Sequence, residues 1–191
     1  DLERIERLYE SRGYHAAEVE GEVEPREGRE VALWVRIREG PPTRIAEVTI
    51  RGLDDLPDDV RTAALEDLPV AVGRVLEESA WEAAKAQLRS RLRARGHAEV
   101  EVVGLARVEL ERRAAQLEID VRPGRVYAFG AIRVENPRSV IDPTWVREEV
   151  AVALGTNRRF SDEKLREAER RVFSMGLFGT VRVTTGPKSP M

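Results

Sequence analysis

The chain repeats itself, and the repeat limits what it can fold into. A turn followed by an alternating run, "EGPPTRIAEVTIRG" from Glu39 to Gly52, returns as "RPGRVYAFGAIRVEN" from Arg122 to Asn136. Gly40 matches Gly124, Ile45 matches Phe129, Val48 matches Ile132 and Ile50 matches Val134, with no gap. A second pattern is written three times: "LERIERLYESRGYHAAEV", "WEAAKAQLRSRLRARGHAEV" and "LREAERRVFSMGLFGTVRV". Such self-similarity is the mark of small supersecondary units strung in series.

Each copy of the second pattern is anchored on a glycine: Gly13, Gly96 or Gly176. Four residues back stands Tyr9, Leu92 or Val172, and eight back Ile5, Leu88 or Ala168. Spacing by four places both on one helix face, which has to pack on something. The glycine suits a helix C-terminus, where positive φ is common. The β-branched stretch after it reads as a strand. The third helix has a start signal: Ser161 to cap, Asp162 and Glu163 at the positive dipole end, and Phe160 to staple onto Leu165. "VALWVRI" and "QLEIDV" alternate strictly, so Val31, Leu33, Val35 and Ile37 share a face, as do Leu117, Ile119 and Val121. Shorter helices are predicted over about Pro57 to Leu68 and Pro143 to Leu154, the latter capped by Asp142 with Pro143 at its first position.

The unit is therefore strand, short helix, long helix, strand, strand. Residues 1–41 hold a partial copy with the long helix and last two strands, 42–123 a complete copy, and 124–191 a copy without its final strand. In the complete copy Val48, Ile50, Leu88, Leu92, Val100, Val102, Leu117 and Ile119 form the predicted core. Small amphipathic sheets with helices on one face make an α+β fold. The chain opens inside a helical pattern without a signal peptide, as a piece of a longer protein would.

Composition narrows the function. Lys+Arg 32 nearly balances Asp+Glu 35, a net charge of -3, which argues against general nucleic-acid binding. The absence of cysteine excludes a disulfide framework and a thiolate metal site; it fits a reducing compartment and a bacterial extracytoplasmic domain equally. No apolar run is long enough to span a bilayer as a helix. The only histidines, His15 and His97, sit at equivalent places in two copies and do not converge on one site, so both read as ordinary residues at a strand start. No Ser/His/Asp arrangement, metal-ligand spacing or phosphate loop occurs, so no enzyme activity, metal or cofactor is expected. Arg89, Arg91, Arg93 and Arg95 near a helix C-terminus read as solvated, dipole-complementing charge. Contact with anionic lipid head groups or an acidic partner is the functional alternative. Trp34 falls on the polar face of its strand, where the next copy has Glu118. It reads either as cover for a loop or junction or as a partner-contact aromatic.

The order of these units resembles that of POTRA domains, the polypeptide-transport-associated modules of the BamA/TamA-type outer-membrane assembly family. The residues that carry the resemblance are "SRGYHAAEV", "REGPPTRIAEVTIRG", "RARGHAEVEV" and "RRVFSMGLFGTVRV", recurring in fixed order over essentially the whole chain. The resemblance implies tandem β-α-α-β-β modules, each a three-stranded mixed sheet with two helices on one face. It also implies that the strand after the long helix, Ala98 to Val103 in the middle copy, is a sheet edge. Val100 and Val102 would then face the helices, and Glu99, Glu101 and Val103 would face out. With Trp34, the residues Glu99, Val100, Glu101, Val102 and Val103 are the candidate client or partner contacts. The implied function is a non-enzymatic periplasmic arm of an outer-membrane protein assembly or translocation machine, docking extended polypeptides by β-augmentation. Its partners would be unfolded outer-membrane-protein precursors, periplasmic accessory proteins or lipoproteins, the membrane surface, and a C-terminal β-barrel of the same parent chain anchoring it to the outer membrane of a Gram-negative bacterium. A rigid spacer or assembly scaffold without client contact is the other reading. A BamA, a TamA and a two-partner-secretion transporter all remain open as the parent.

Overall fold

The computed structural model describes residues 2–26, 28, 30–135 and 142–185. Asn136, which closes the second copy of the turn-plus-strand, lies outside them. The described elements run α1 (Leu2–Ser11), β1 (Glu18–Pro25), β2 (Val31–Arg38), β3 (Arg44–Arg51), α2 (Asp58–Leu65), α3 (Glu78–Ala94), β4 (Glu101–Glu109), β5 (Ala114–Arg122), α4 (Pro143–Leu154) and α5 (Asp162–Ser174). Strands β1 and β2 form a two-stranded sheet, and a three-stranded sheet has the order β3-β5-β4. β3 runs parallel to β5, whereas β4 and β5 are joined by a short hairpin turn, so the sheet is mixed.

Two compact units divide the chain. One comprises Asp1–Asp54, Leu65–Gln87 and Val102–Val121; the other comprises Asp55–Ala64, Leu88–Glu101 and Arg122–Met191. The division does not run between the sequence repeats: the middle repeat contributes to both units.

In the first unit, β1 and β2 pair antiparallel with Val19 opposite Ile37, Gly21 opposite Val35 and Val23 opposite Leu33. Directly opposed residues share a face, so the alternation read from the sequence makes one apolar side. Leu2 of α1 lies against it at Gly21, where an added Cβ would stand 2.8 Å from Leu2 Cδ1. One helix does not cover the face, and Val23 and Leu33 stay 61% and 66% exposed. On the other face Glu18 and Glu20 pair with Arg38 and Arg36.

The three-stranded sheet carries the expected apolar positions with one adjustment. Leu117 and Ile119 of central β5 are fully buried, but their neighbours across the parallel ladder, Val48 and Ile50, are only half-buried. Among the described residues β3 is an edge strand, met on its far side only by the loop at Gly73 to Val75, and a bulge between Ile45 and Glu47 interrupts its ladder. Trp81 of α3 is buried over β4 at Gly104, where a Cβ would come within 2.5 Å of its ring. Helix α2 ends at Leu65 rather than near Leu68, and Asp67 just beyond has a φ of 41° that no helix continues through.

In the second unit, Leu88 and Leu92 of α3 are fully buried, and α4 and α5 pack through Val150, Leu154, Ala168 and Val172. The caps are those the sequence signals: the Asp142 carboxylate accepts from the Thr144 amide at 2.8 Å with Pro143 at the start, and Ser161 accepts from the Glu163 amide at 3.3 Å. Phe129, Ile132, Val181 and Val183 pack on this helix pair. The strands expected on either side of the pair are not formed among the described residues; only an isolated bridge, Ala128 to Arg159, is present. The apolar residues find the helices, but the backbone around them has no ladder partner.

Candidate functional site

Among the described residues strand β4 has a strand neighbour on one side only, which makes it a sheet edge. Along it Glu101, Val103, Leu105, Arg107 and Glu109 point outward and alternate with the inward Val102, Gly104, Ala106 and Val108. Val103 is 63% and Leu105 49% exposed, so the outer face of this edge is part apolar and part charged. The far side of β3, the other edge, is partly used: the Ile45 amide donates to the Arg74 carbonyl and its carbonyl accepts from the Gly73 amide, both at 2.8 Å.

The strand starts later than the sequence pattern suggests. Glu99 and Val100 are not in it. The chain leaves α3 through Gly96 at φ +101°, and two turn bonds follow: the Ala98 amide to the Gly96 carbonyl (2.9 Å) and the Val100 amide to the His97 carbonyl (3.3 Å). Backbone groups closed in turns are not offered to an added strand. Val100 is buried, as expected, and Glu99 is exposed but accepts from the Tyr127 hydroxyl at 2.6 Å. Of the named residues, Glu101, Val102 and Val103 therefore lie on the edge strand, with Val102 buried beneath it. Trp34 lies apart from them on β2, 55% exposed, its indole Nε1 donating to Glu24 at 3.0 Å. The Glu118 that matches it is half-buried and held by Arg107 (2.5 Å) and Arg51 (3.8 Å) rather than being a free solvent residue.

A second arrangement, missed in the sequence, recurs with the repeat. The Thr43 amide donates to the Gly13 carbonyl (2.7 Å), and its own carbonyl accepts from the Leu76 amide (3.0 Å). From Gly40 to Gly124 the repeat advances 84 residues, as do Thr43 to Tyr127 and Leu76 to Phe160, while the acceptor glycine advances 83, from Gly13 to Gly96. The Tyr127 amide donates to Gly96 (2.9 Å) and its carbonyl accepts from Phe160 (2.9 Å). One residue thus ties the end of one long helix to the entry of the next. The histidines serve these junctions: His15 Nδ1 lies 3.2 Å from Thr43 Oγ1, and His97 Nδ1 lies 3.3 Å from the Gly124 carbonyl.

The arginine run also belongs here. Arg91 donates to the Ala64 carbonyl (3.1 Å), and Arg93 grips both oxygens of Asp162 (2.5 and 2.7 Å) and the Ala98 carbonyl (2.5 Å). This corrects the reading of both as solvated charge. The Arg93 guanidinium holds the Asp162 carboxyl below the usual carboxylate range, while the Glu99 carboxylate raises the Tyr127 hydroxyl above the usual phenol range. Among the described residues no group of His, Asp or Glu has the arrangement of a metal site, and no helix is long and apolar enough to cross a membrane.

The family model POTRA, described as a surface antigen variable number repeat, matches residues 43–124. The matched stretch is the middle repeat, less than half of the chain. No curated protein matches the chain. The crystal structure of Haemophilus influenzae BamA POTRA3-5 overlays 95% of this chain and 70% of its own, with a TM-score of 0.62 at 17% identity. The N-terminal domain of Omp85 from Thermosynechococcus elongatus covers 98% of this chain and 76% of its own at 18% identity, with a TM-score of 0.41. The fold of this chain is accordingly that of POTRA modules, and both the resemblance read from the motifs and the α+β class with its three-stranded mixed sheet are borne out.

Proposed function

We propose that the chain is a non-enzymatic binding arm of an outer-membrane protein assembly or translocation machine, and that it receives extended polypeptides by strand addition along β4. The observation that carries this reading is the edge position of β4 among the described strands together with the exposure of Val103 and Leu105 along it. An added strand would gain main-chain hydrogen bonds whatever its sequence, and the outward side chains would tune it. Glu101 and Glu109 flank the apolar pair and discourage self-pairing of the edge. The BamA POTRA fold to which this chain is similar supports the reading. In it the chain is a periplasmic series of modules 1–41, 42–123 and 124–191 beside a barrel and accessory lipoproteins. Trp34 is a second contact for such partners, being exposed on the charged face of β2.

The duplicated junction favours the second reading, a rigid spacer without client contact. Titration of the labelled chain with an extended peptide of alternating apolar and polar residues separates the two. Strand addition shifts the backbone amide signals of Glu101 to Glu109 and leaves those of β3 in place. A peptide that binds nowhere, or shifts only Trp34 and its neighbours, removes the β4 reading and leaves the spacer.

A further inference from the structure

A cleft of about 440 Å³ opens at the end of the three-stranded sheet, where β3 begins and the turn between β4 and β5 closes. Pro41, Pro42 and Arg44 line it from one segment, and Glu111, Arg112 and Arg113 from the other; all six belong to the first compact unit. The chain as a whole carries a net charge of -3, yet three arginines and one glutamate line this cleft.

The backbone of Arg113 is fixed on both sides. Its amide donates to the Leu110 carbonyl at 3.1 Å, closing the turn, and its carbonyl accepts from the Arg44 amide at 2.9 Å, tying the turn to β3. It stands at φ 53°, a left-handed position that glycine or asparagine fills at less cost. The turn gains nothing from an arginine there, so what the residue adds is its side chain. Among the described residues that side chain is exposed and has no ion pair or hydrogen bond. Arg112 has an exposed pair with Glu109 at 3.3 Å, which water and salt screen. Arg44 is held in place, its Nη1 donating to the Gly73 carbonyl at 2.8 Å. Two guanidinium groups are thus available to an incoming anion beside a third already positioned. The rigid proline rings give the cleft an apolar side on which the methylene groups of a glutamate can lie.

A single phosphate or carboxylate fills a small part of this volume, whereas a short acidic run of polypeptide reaches both walls. The path leads the same way. β4 ends at Glu109, Leu110 beside it is 57% exposed, and a chain laid along β4 arrives at this turn when it runs on past Glu109.

We infer that the cleft takes an acidic segment of the extended polypeptide, its carboxylates meeting Arg112 and Arg113 and its methylene groups lying on Pro41 and Pro42. The guanidinium fork matches a carboxylate in two parallel hydrogen bonds. This deepens the strand-addition reading, from which it takes the path of the polypeptide. A sequence-tolerant edge thereby acquires a preference for clients with acidic residues flanking the docked run.

Two peptides test it on the 191-residue chain. Both hold the same alternating apolar and polar run; one carries glutamates at both ends and the other glutamines. The glutamate peptide should bind roughly fivefold more tightly at low salt, shift the Nε–H signals of Arg112 and Arg113, and lose its advantage as salt rises. Arg112→Gln and Arg113→Asn should each remove most of that advantage and leave the affinity of the glutamine peptide within about twofold. Asparagine tolerates the left-handed position, so the thermal midpoint of Arg113→Asn should not fall. Arginine signals that do not move, equal affinity of the two peptides, or an advantage that survives both substitutions overturns the inference. The amides of Glu101 to Glu109 judge strand addition separately: if they stay in place while the glutamate peptide alone moves the arginine signals, strand addition fails and the acidic cleft stands. Vesicles of phosphatidylcholine and phosphatidylglycerol complete the test. A chain that binds them through the same arginines and gains nothing from the glutamates has a headgroup site instead, which overturns the assignment to an acidic polypeptide.

Discussion

Gly52 has no room for a side chain. A Cβ there would stand 1.9 Å from the Val121 carbonyl oxygen, and its φ of +84° already disfavours other residues. Gly52→Ala must move backbone rather than a side chain, so a loss of about 2 kcal/mol or more is expected in urea unfolding. A loss under about 0.5 kcal/mol would mean that the strand ends slide apart without cost. Leu92 is fully buried, and Leu92→Ala should cost about 2–5 kcal/mol through lost burial and the remaining cavity. Asp162 gives an acid-side signature. Its folded carboxyl titrates below the ordinary value because Arg93 bonds its charged form. The stability it contributes is therefore complete above the ordinary carboxylate value of about 4 and is lost as pH falls through the lower folded value. Asp162→Asn should flatten that part of the unfolding midpoint's dependence on pH; an unchanged acid dependence would show that the pair does not couple to folding. Leu92 was legible because helical spacing from Gly96 marks it. Arg93 was not, because it stands among Arg89, Arg91 and Arg95 and its partner is 69 residues away. Local sequence distinguishes a clamped arginine from a solvated one only when the partner is near.

At the scale of the element, β4 holds the functional prediction. Its side-chain alternation was legible from Glu101 onward, since inward and outward residues follow the pleat. Its start was not. "AEVEVV" alternates equally well from Ala98, but the turn bonds made by Ala98 and Val100 close the backbone there. Alternation reports which side a residue faces, not whether its amide is free. The two flanks of α4 and α5 teach the same lesson: Phe129, Ile132, Val181 and Val183 pack inward as a strand pattern requires, yet no ladder forms among the described residues. The test of β4 is Val103→Pro. Val103 is outward and 63% exposed, so the change removes one N–H from the strand and little packing. We expect thermal stability close to that of the unmodified chain and at least a several-fold loss of peptide affinity. A variant that folds normally and binds the peptide undiminished excludes strand addition at this edge.

At the scale of the molecule, repeats and compact units do not coincide. The repeat boundaries near residues 42 and 123 are legible because the Gly-containing turns recur, and the relay shows why such turns are not linkers: Thr43 and Tyr127 each bond in both directions. The chain passes from one unit to the other within continuous elements instead, between Gln87 and Leu88 inside α3 and between Glu101 and Val102 at the start of β4. A helix cannot unravel on one side of such a crossing without losing hydrogen bonds on the other. Unfolding should therefore be one transition, although each unit has buried residues of its own. Trp81 reports the first unit, because it is buried while Trp34 and Trp145 are 55% and 63% exposed and change little in emission. The Phe160 amide reports the second. Urea curves followed by tryptophan emission and by the Phe160 amide signal should share midpoint and slope. Leu92→Ala, made in the second unit, should then lower both midpoints together. Separate midpoints, or a Leu92→Ala shift confined to Phe160, would show that α3 breaks at Leu88 and that the units unfold independently.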